Sequence, residues 1–280
     1  MIQRKALDTS GYSGNCDDCY ILARHGRDKP QLTQVLDQPL QEESLPEVRC
    51  LADEIVDLYK QQLAGIFSGV RIYHSPRLRA SQTANLIFET CVTNLVDTEM
   101  VEASALREMG QGEFIIRNNV DSEDYPPLVN AWLAFRKKLS LGHLSYRFGD
   151  PILKEDGSAE YPQLLGHFTK YGESQIGFSL RLYRFLHDFL YIRDQRIPII
   201  VAHQATASRI QRIFSVLKAV DETNLPAAGD LVCQLERRGV RASINHACGI
   251  VASRPKLNPA SKIIEREIQY LESTQRPNND

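Results

Sequence analysis

Apolar and polar positions along this chain alternate between two periods. The run Cys19-Tyr20-Ile21-Leu22-Ala23 is short and continuously apolar and leads into Arg24-His25-Gly26, the pattern of a strand buried on both faces. From 44 to about 67, apolar residues recur at helical spacing at Val48, Leu51, Ile55 and Leu58, and Ser44-Leu45-Pro46-Glu47 supplies a helix start in which serine caps and glutamate reciprocates. Gly69 ends that helix, Val70-Arg71-Ile72-Tyr73-His74 reads as a second strand, and 78–90 reads as a helix with Ala80, Ala84, Ile87 and Phe88 on one side. A third strand is expected over 95–101.

The alternation then breaks through Pro126, Pro127, Gly142, Gly149, Pro151, Gly157 and Pro162, with a helical stretch over 128–139 that carries Trp132 and Phe135. A structureless loop of that length is uncommon in a compact domain, so 111–171 is expected to be an inserted subdomain or lid. Regular spacing resumes with a helix over 172–192, the β-branched run Ile197-Pro198-Ile199-Ile200-Val201-Ala202 and a helix over 205–220. Segments 231–235 and 240–251, joined around Arg238-Gly239, predict a closing hairpin, and Asn258-Pro259 opens a terminal helix through Ile263, Ile264, Ile268 and Leu271. The expected fold is α/β: a three-layer αβα sandwich on a mostly parallel sheet, forming one domain over 1–280 with a C-terminal helical extension over 256–280.

Composition narrows the function classes. A chain of 280 residues with 42% hydrophobic and 24% charged residues buries a large core without staples. Its 33 basic and 35 acidic residues leave no cationic excess for a nucleic acid. No apolar stretch approaches the ~18 residues of a membrane span, and Met1-Ile2-Gln3-Arg4-Lys5 does not lead into a signal-peptide core, so a cytoplasmic protein is expected. Cys16, Cys19, Cys50, Cys91, Cys233 and Cys248 read as reduced thiols. Cys16 and Cys19 have zinc-like spacing but no second cysteine pair, and no metal is assigned.

In mostly parallel sheets ligands sit at the carboxyl ends of the strands, which directs attention to four segments. The first strand ends in Arg24-His25-Gly26: a neutral imidazole attacks phosphorus without first losing a proton, a guanidinium fork grips phosphoryl oxygens, and glycine admits a bulky anion to the backbone. The second ends in His74-Ser75-Pro76-Arg77-Leu78-Arg79, which puts arginines and a hydroxyl at a helix start, where the dipole favours anions. The run at 197–202 ends in His203-Gln204, a second imidazole able to stabilise charge on phosphoryl oxygens. After the third strand comes Leu106-Arg107-Glu108, a carboxyl group placed to protonate a departing oxygen. Taken singly, each has a plainer reading: a histidine capping a strand, a solvated helix start, a surface glutamate.

Together these segments resemble the histidine phosphatase superfamily, the phosphoglycerate-mutase-like proteins. Arg24-His25-Gly26 matches its Arg-His-Gly triplet, Ser75-Pro76 with Arg79-Ala80 and Thr83-Ala84 its second motif, Leu106 and Glu108 its Leu-x-Glu loop, Gly172-Glu173-Ser174 with Arg181 its helix start, and Ile199 to His203 its apolar strand ending in histidine. The resemblance covers roughly 19 to 237. It implies that His25 is the phosphorylated nucleophile, that Arg24, Arg79 and His203 form the phosphate pocket and that Glu108 is the proton donor. Arg27, Gln31 and Gln204 depart from residues common in the family, and Arg27 and Gln204 are expected to line the substrate pocket beneath the insert. His74 and His246 read as a strand-end and a hairpin residue. The implied activity is a metal-independent phosphomonoesterase with no cofactor, acting through a phosphohistidine on a phosphorylated small molecule. The alternatives are a phosphoglycerate-mutase-type phosphotransferase and a catalytically silent relative that binds phospholigands. Neither nucleic acid nor membrane is an expected partner, and the terminal helix is a candidate for homodimer pairing.

Overall fold

The apolar runs become the inner strands of one twisted sheet. The computed structural model describes residues 5–10, 12, 17–28, 38–108, 152–153, 159–160, 175–191, 194–220, 227–237, 243–258 and 261–275. Along the chain these form β1 (Leu7–Asp8), β2 (Cys19–Arg24), α1 (Leu45–Leu58), β3 (Gly69–His74), α2 (Leu78–Thr93), β4 (Thr98–Glu102), β5 (Ile152–Leu153) and β6 (Ala159–Glu160). There follow α3 (Gln175–Tyr191), β7 (Arg196–Ala202), α4 (Gln204–Lys218), α5 (Asp230–Arg237), β8 (Gly249–Ser253) and α6 (Ile263–Gln275). Six strands share a sheet in the order β1-β8-β2-β7-β3-β4, and β5 pairs with β6 alone. β2, β7, β3 and β4 run parallel, whereas β8 lies antiparallel to β2 and parallel to β1.

β2 and β7 are the strands that read as continuous apolar runs because both of their faces are covered. Strand periodicity sends Cys19, Ile21 and Ala23 into one core with Leu51, Ile55 and Ile87 of α1 and α2. Tyr20 and Leu22 go to the opposite core, with Phe178 and Leu182 of α3, Phe214 of α4 and Leu271 of α6. Two helical layers therefore clasp one sheet, an α/β sandwich as expected. The α1 spiral loosens into a π-helical turn, Tyr59–Leu63, before β3. There Gly69 passes so close to the neighbouring chain that a Cβ would strike the Asp97 carbonyl.

The closing hairpin does not form. Its first arm is helical: in α5, Leu231, Val232 and Leu235 are buried, which is the i, i+1, i+4 spacing of a helix face, and the Glu267 carboxylate of α6 accepts the Gly229 N–H at 2.8 Å just ahead of α5. The second arm shrinks to β8, whose partners are β2 and the unforeseen β1. The expected third strand also begins later than its apolar residues suggest. Leu95, in the left-handed region at φ 60° and 95% exposed, belongs to the turn before β4. The terminal helix starts at Ile263 and packs on α3. The proposed insert 111–171, with its helix at 128–139, lies outside the described residues apart from the β5/β6 pair. Among the described residues no helix is long and apolar enough to cross a membrane.

Candidate active site

Four parallel strands finish at one edge of the sheet, and the residues that follow them converge. The backbone there is stitched across strands: the His25 N–H donates to the Ala202 carbonyl at 3.1 Å, the Ser75 N–H to Val201 at 3.1 Å, and the Arg24 N–H to Cys248 at 3.0 Å. Because β8 runs antiparallel to β2, the turn that enters it, 245–248, sits at this same edge. Gly26 owes its place to packing more than to anion access: a Cβ would come within 2.6 Å of Ser44 Oγ and 2.8 Å of Val48 Cγ2, the wall made by α1 and the turn before it. The Gly26 N–H donates to Thr83 Oγ1 at 3.1 Å, and that hydroxyl in turn donates to the Arg79 carbonyl at 2.8 Å, tying the histidine loop to α2.

His25 is 4% exposed. Its Nδ1 lies 2.5 Å from the Gly26 carbonyl, which can only accept, so Nδ1 carries the hydrogen and Nε2 keeps its lone pair. Arg79 Nε donates to that Nε2 at 3.1 Å. Burial, then the charge of Arg79, push the His25 pKa down to about 3, against the pull of the Gly26 hydrogen bond. The ring is thus a neutral imidazole with its basic nitrogen aimed at a guanidinium.

His203 caps β7, its ring centroid 4.9 Å from that of His25. Its Nε2 is 2.9 Å from Ser75 Oγ, and its buried Nδ1 lies 3.8 Å from Glu108 Oε2, too far for a hydrogen bond. Burial first, then His25 and the arginines Arg79, Arg77 and Arg24, lower its pKa to about 2. Arg79 is the hub: besides His25 it holds Glu108 Oε2 at 2.9 Å and stands 3.6 Å from Asp28 Oδ2. Glu108 leaves β4 through a short 3₁₀ turn, Ser104–Leu106, that is braced from behind. Arg181 of α3 donates to the carbonyls of Ala105 and Arg107, at 2.5 Å and 2.9 Å, and Thr206 Oγ1 of α4 donates to the Arg107 carbonyl at 3.0 Å.

Arg24 reaches the other side of His25, where its Nη1 donates to Gln204 Oε1 at 3.2 Å and to the Ile244 carbonyl at 3.1 Å. The structure therefore brings His25, Arg24, Arg79, His203, Glu108 and Gln204 together, with Gln204 engaged in holding Arg24. It does not bring in the Arg27 side chain, which is 60% exposed and paired with Glu47 at 2.9 Å outside the cluster. His74, as expected, is a buried strand-end residue bonded to the Ser75 carbonyl at 2.9 Å. Sequence reasoning missed Asp28 and His246. Asp28 lies three residues beyond His25, and that proximity was its available signal. His246 was hidden by the hairpin reading, which placed it inside a strand. Gln31 and Gly172-Glu173-Ser174 lie outside the described residues. Among the described residues no group of three or more His, Cys, Asp or Glu side chains is arranged to hold a metal ion.

The model of the histidine phosphatase superfamily, branch 1, matches residues 20–145. Over that stretch the chain resembles the histidine phosphatase superfamily. The matched stretch holds Arg24, His25, Arg79 and Glu108, whereas His203, Gln204 and His246 lie beyond it and join the site through the geometry above. Among curated proteins none matches the chain. Solved structures similar to this chain include the mycobacterial glucosyl-3-phosphoglycerate phosphatase, with 16% identity over 84% of this chain and 89% of that one at a TM-score of 0.48. A putative alpha-ribazole-5'-P phosphatase from Escherichia coli has 15% identity over 86% and 98% of the two chains at 0.44. A phosphoglycerate mutase from Bacillus anthracis has 16% over 93% and 99% at 0.40. At such identities the substrates of those proteins stay with them.

Proposed function

We propose that this protein is a phosphomonoesterase that passes through a phosphohistidine on His25. The observation that carries the reading is the state of that ring: Nδ1–H committed to the Gly26 carbonyl, and the Nε2 lone pair facing Arg79. A phosphate ester entering here meets Arg79, Arg24 and the His203 ring around its equatorial oxygens, which stabilise charge as the phosphorus is transferred. Nε2 forms the P–N bond as the P–O bond to the leaving group breaks, and the protonated Glu108 carboxyl gives its hydrogen to the departing oxygen. In the second half, ionised Glu108 takes a proton from water. The resulting hydroxide forms a P–O bond, the P–N bond breaks, and inorganic phosphate leaves with His25 neutral again. Fixed guanidinium groups do the electrostatic work, so the reaction is proposed to need no metal, and the substrate is proposed to be a phosphorylated small molecule met in the cytoplasm.

The test is rapid quenching of the enzyme during turnover of p-nitrophenyl phosphate. Acid-labile, base-stable phosphate on the wild type, its absence in His25→Ala together with loss of turnover to background, and rates unchanged by a chelator are expected. A stable phosphoserine adduct, or full activity in His25→Ala, overturns the mechanism.

A further inference from the structure

His25 stands between two histidines, and only one of them has been given a task. The ring of His246 lies 5.6 Å from that of His25, on the side where Arg24 reaches in, and its Nε2 is 2.7 Å from Arg24 Nη2. A guanidinium has donors and no acceptor, so this contact has one chemical meaning: Arg24 donates, and His246 accepts through a lone pair on Nε2. His246 is therefore a neutral ring with its hydrogen on Nδ1. With Nη1 donating to Gln204 and Ile244 and Nη2 to His246, Arg24 is fixed from three directions. Its Nε–H, buried without a hydrogen bond, and the second Nη2 hydrogen remain uncommitted.

The turn that presents His246 is built for the purpose. Ala247 is 2% exposed and holds φ at 51°, the left-handed region that a residue with a Cβ enters at a cost. Its N–H donates to the His25 carbonyl at 3.1 Å, and the Cys248 N–H closes the turn on the Asn245 carbonyl at 3.2 Å. A strained turn is thus pinned to the nucleophile's own backbone, and it sets the imidazole against the arginine beside that nucleophile.

We propose that His246 is the positioning residue for Arg24, and that it fixes the guanidinium as a phosphate-binding fork only while its own ring is neutral. The inference rests on the phosphate-pocket reading above. Its consequence is a switch with a defined sign. When His246 takes a proton, Nε2 becomes a donor facing a donor, Arg24 loses an acceptor and gains a like charge, and the fork is released. The charges around His246 set where this happens: Arg24 and Arg79, and Arg27 from outside the cluster, oppose the proton, Asp28 favours it, and the neutral His25 ring lies alongside. Burial and Arg24 together lower its pKa, so the acid limb falls below the ordinary histidine value of 6.5.

The probes are orthovanadate, a phosphate-shaped inhibitor, and p-nitrophenyl phosphate. His246→Gln puts an amide oxygen near the position of Nε2, His246→Asn is too short to reach, and His246→Leu has no acceptor. Asn and Leu are expected to weaken orthovanadate binding and raise KM by about tenfold, the cost of one charge-assisted hydrogen bond, with kcat less affected and melting temperatures close to wild type. His246→Gln is expected to stay within about threefold of wild type and to lose the acid limb of kcat/KM, a pH signature that a purely structural role would not change. If the Leu variant does not fold, the Asn and Gln pair decides. Wild-type affinity in Asn, or a Gln variant as weak as Asn, overturns the proposal. Wild-type protein that binds orthovanadate yet traps no phosphohistidine overturns the phosphatase reading and leaves this one to stand on binding. A wild type that binds no orthovanadate overturns both.

Discussion

Where the parallel strands begin, Arg71 and Arg196 meet Asp97, Glu99 and Asp194; where they finish, Arg24 and Arg79 meet Asp28 and Glu108, and Arg77 acts on His203. At the first edge every guanidinium is closed by carboxylates. Arg71 bridges Glu99 at 2.6 Å and also Asp194, and Arg196 bridges Asp97 at 2.9 Å and Glu99 at 3.6 Å. At the second edge cations outnumber carboxylates, two imidazoles are kept neutral by burial and by those same cations, and a guanidinium points at a nitrogen lone pair. Both edges use the same side-chain types. Charge that is matched within the protein stabilises and is finished; charge left in positive excess around a basic nitrogen is a receptor for an anion.

The sharpest way to break that contrast is to alter the carboxylate on the receptor side. Glu108→Gln keeps the shape of the side chain and removes the proton. Hydrolysis of an alkyl phosphate should fall about 10²- to 10³-fold in kcat/KM, while p-nitrophenyl phosphate, whose leaving group departs unprotonated, should lose less than about tenfold. Equal losses on both substrates would assign the proton to Asp28, the other carboxylate close to Arg79.

Much of this edge was legible because it depends on local pattern. β2 and β7 are buried on both faces, so each appears as an unbroken apolar run, and the polar residues that end the runs, Arg24-His25 and His203-Gln204, mark the site without any knowledge of pairing. α1 and α2 bury one face each and therefore carry period-3.6 stripes. What escaped depends on contacts far apart in sequence. β1 has two residues and exists only because β8 lies beside it. The turn at 245–248 lies within 240–251, which begins and ends in valine and reads as strand, and only the antiparallel pairing of β8 with β2 carries His246 to the edge where His25 lies. Gly26 looked like an opening for an anion until α1 was seen to fill the space its missing Cβ would need.

Acid acts differently on the receptor edge and on the buried Glu267 between α5 and α6, which gives a second test. His25 and His203 have folded pKa values of about 3 and about 2, against 6.5 when unfolded. Below pH 6.5 the unfolded chain binds protons that the folded one refuses, so each histidine removes up to about 1.4 kcal/mol of stability per pH unit as the pH falls. Glu267 runs the other way. Burial raises its carboxyl to about 7, against the N–H groups of Gly229, Val232 and Leu231, and it removes a similar amount per unit as pH rises from 4.5 to 7. Denaturant unfolding between pH 5 and 6 should therefore show stability falling with acid. Glu267→Gln should steepen that slope and His203→Gln should flatten it. A slope that neither variant changes would mean that these groups titrate alike in both states.

The smallest effect belongs to the matched edge. Arg71→Met removes a guanidinium whose partners are partly exposed, at 44% for Glu99 and 18% for Asp194, so screening limits what each ion pair is worth. Of the carboxylates left behind, Glu99 keeps Arg196 at 3.6 Å and Asp194 Oδ1 keeps the Arg196 N–H at 3.1 Å, while the buried Asp194 Oδ2 loses its ion partner. About 1 kcal/mol of stability should be lost, read as a lower denaturant midpoint, with kcat/KM for p-nitrophenyl phosphate unchanged within twofold. The strands between the edges are hydrogen-bonded to one another, so a charge removed at their beginning reaches the His25 cluster through the field, which salt attenuates over about 10 Å. A loss of activity that grows as salt is lowered would show that the two edges communicate through that field, and the separation of their roles would fail.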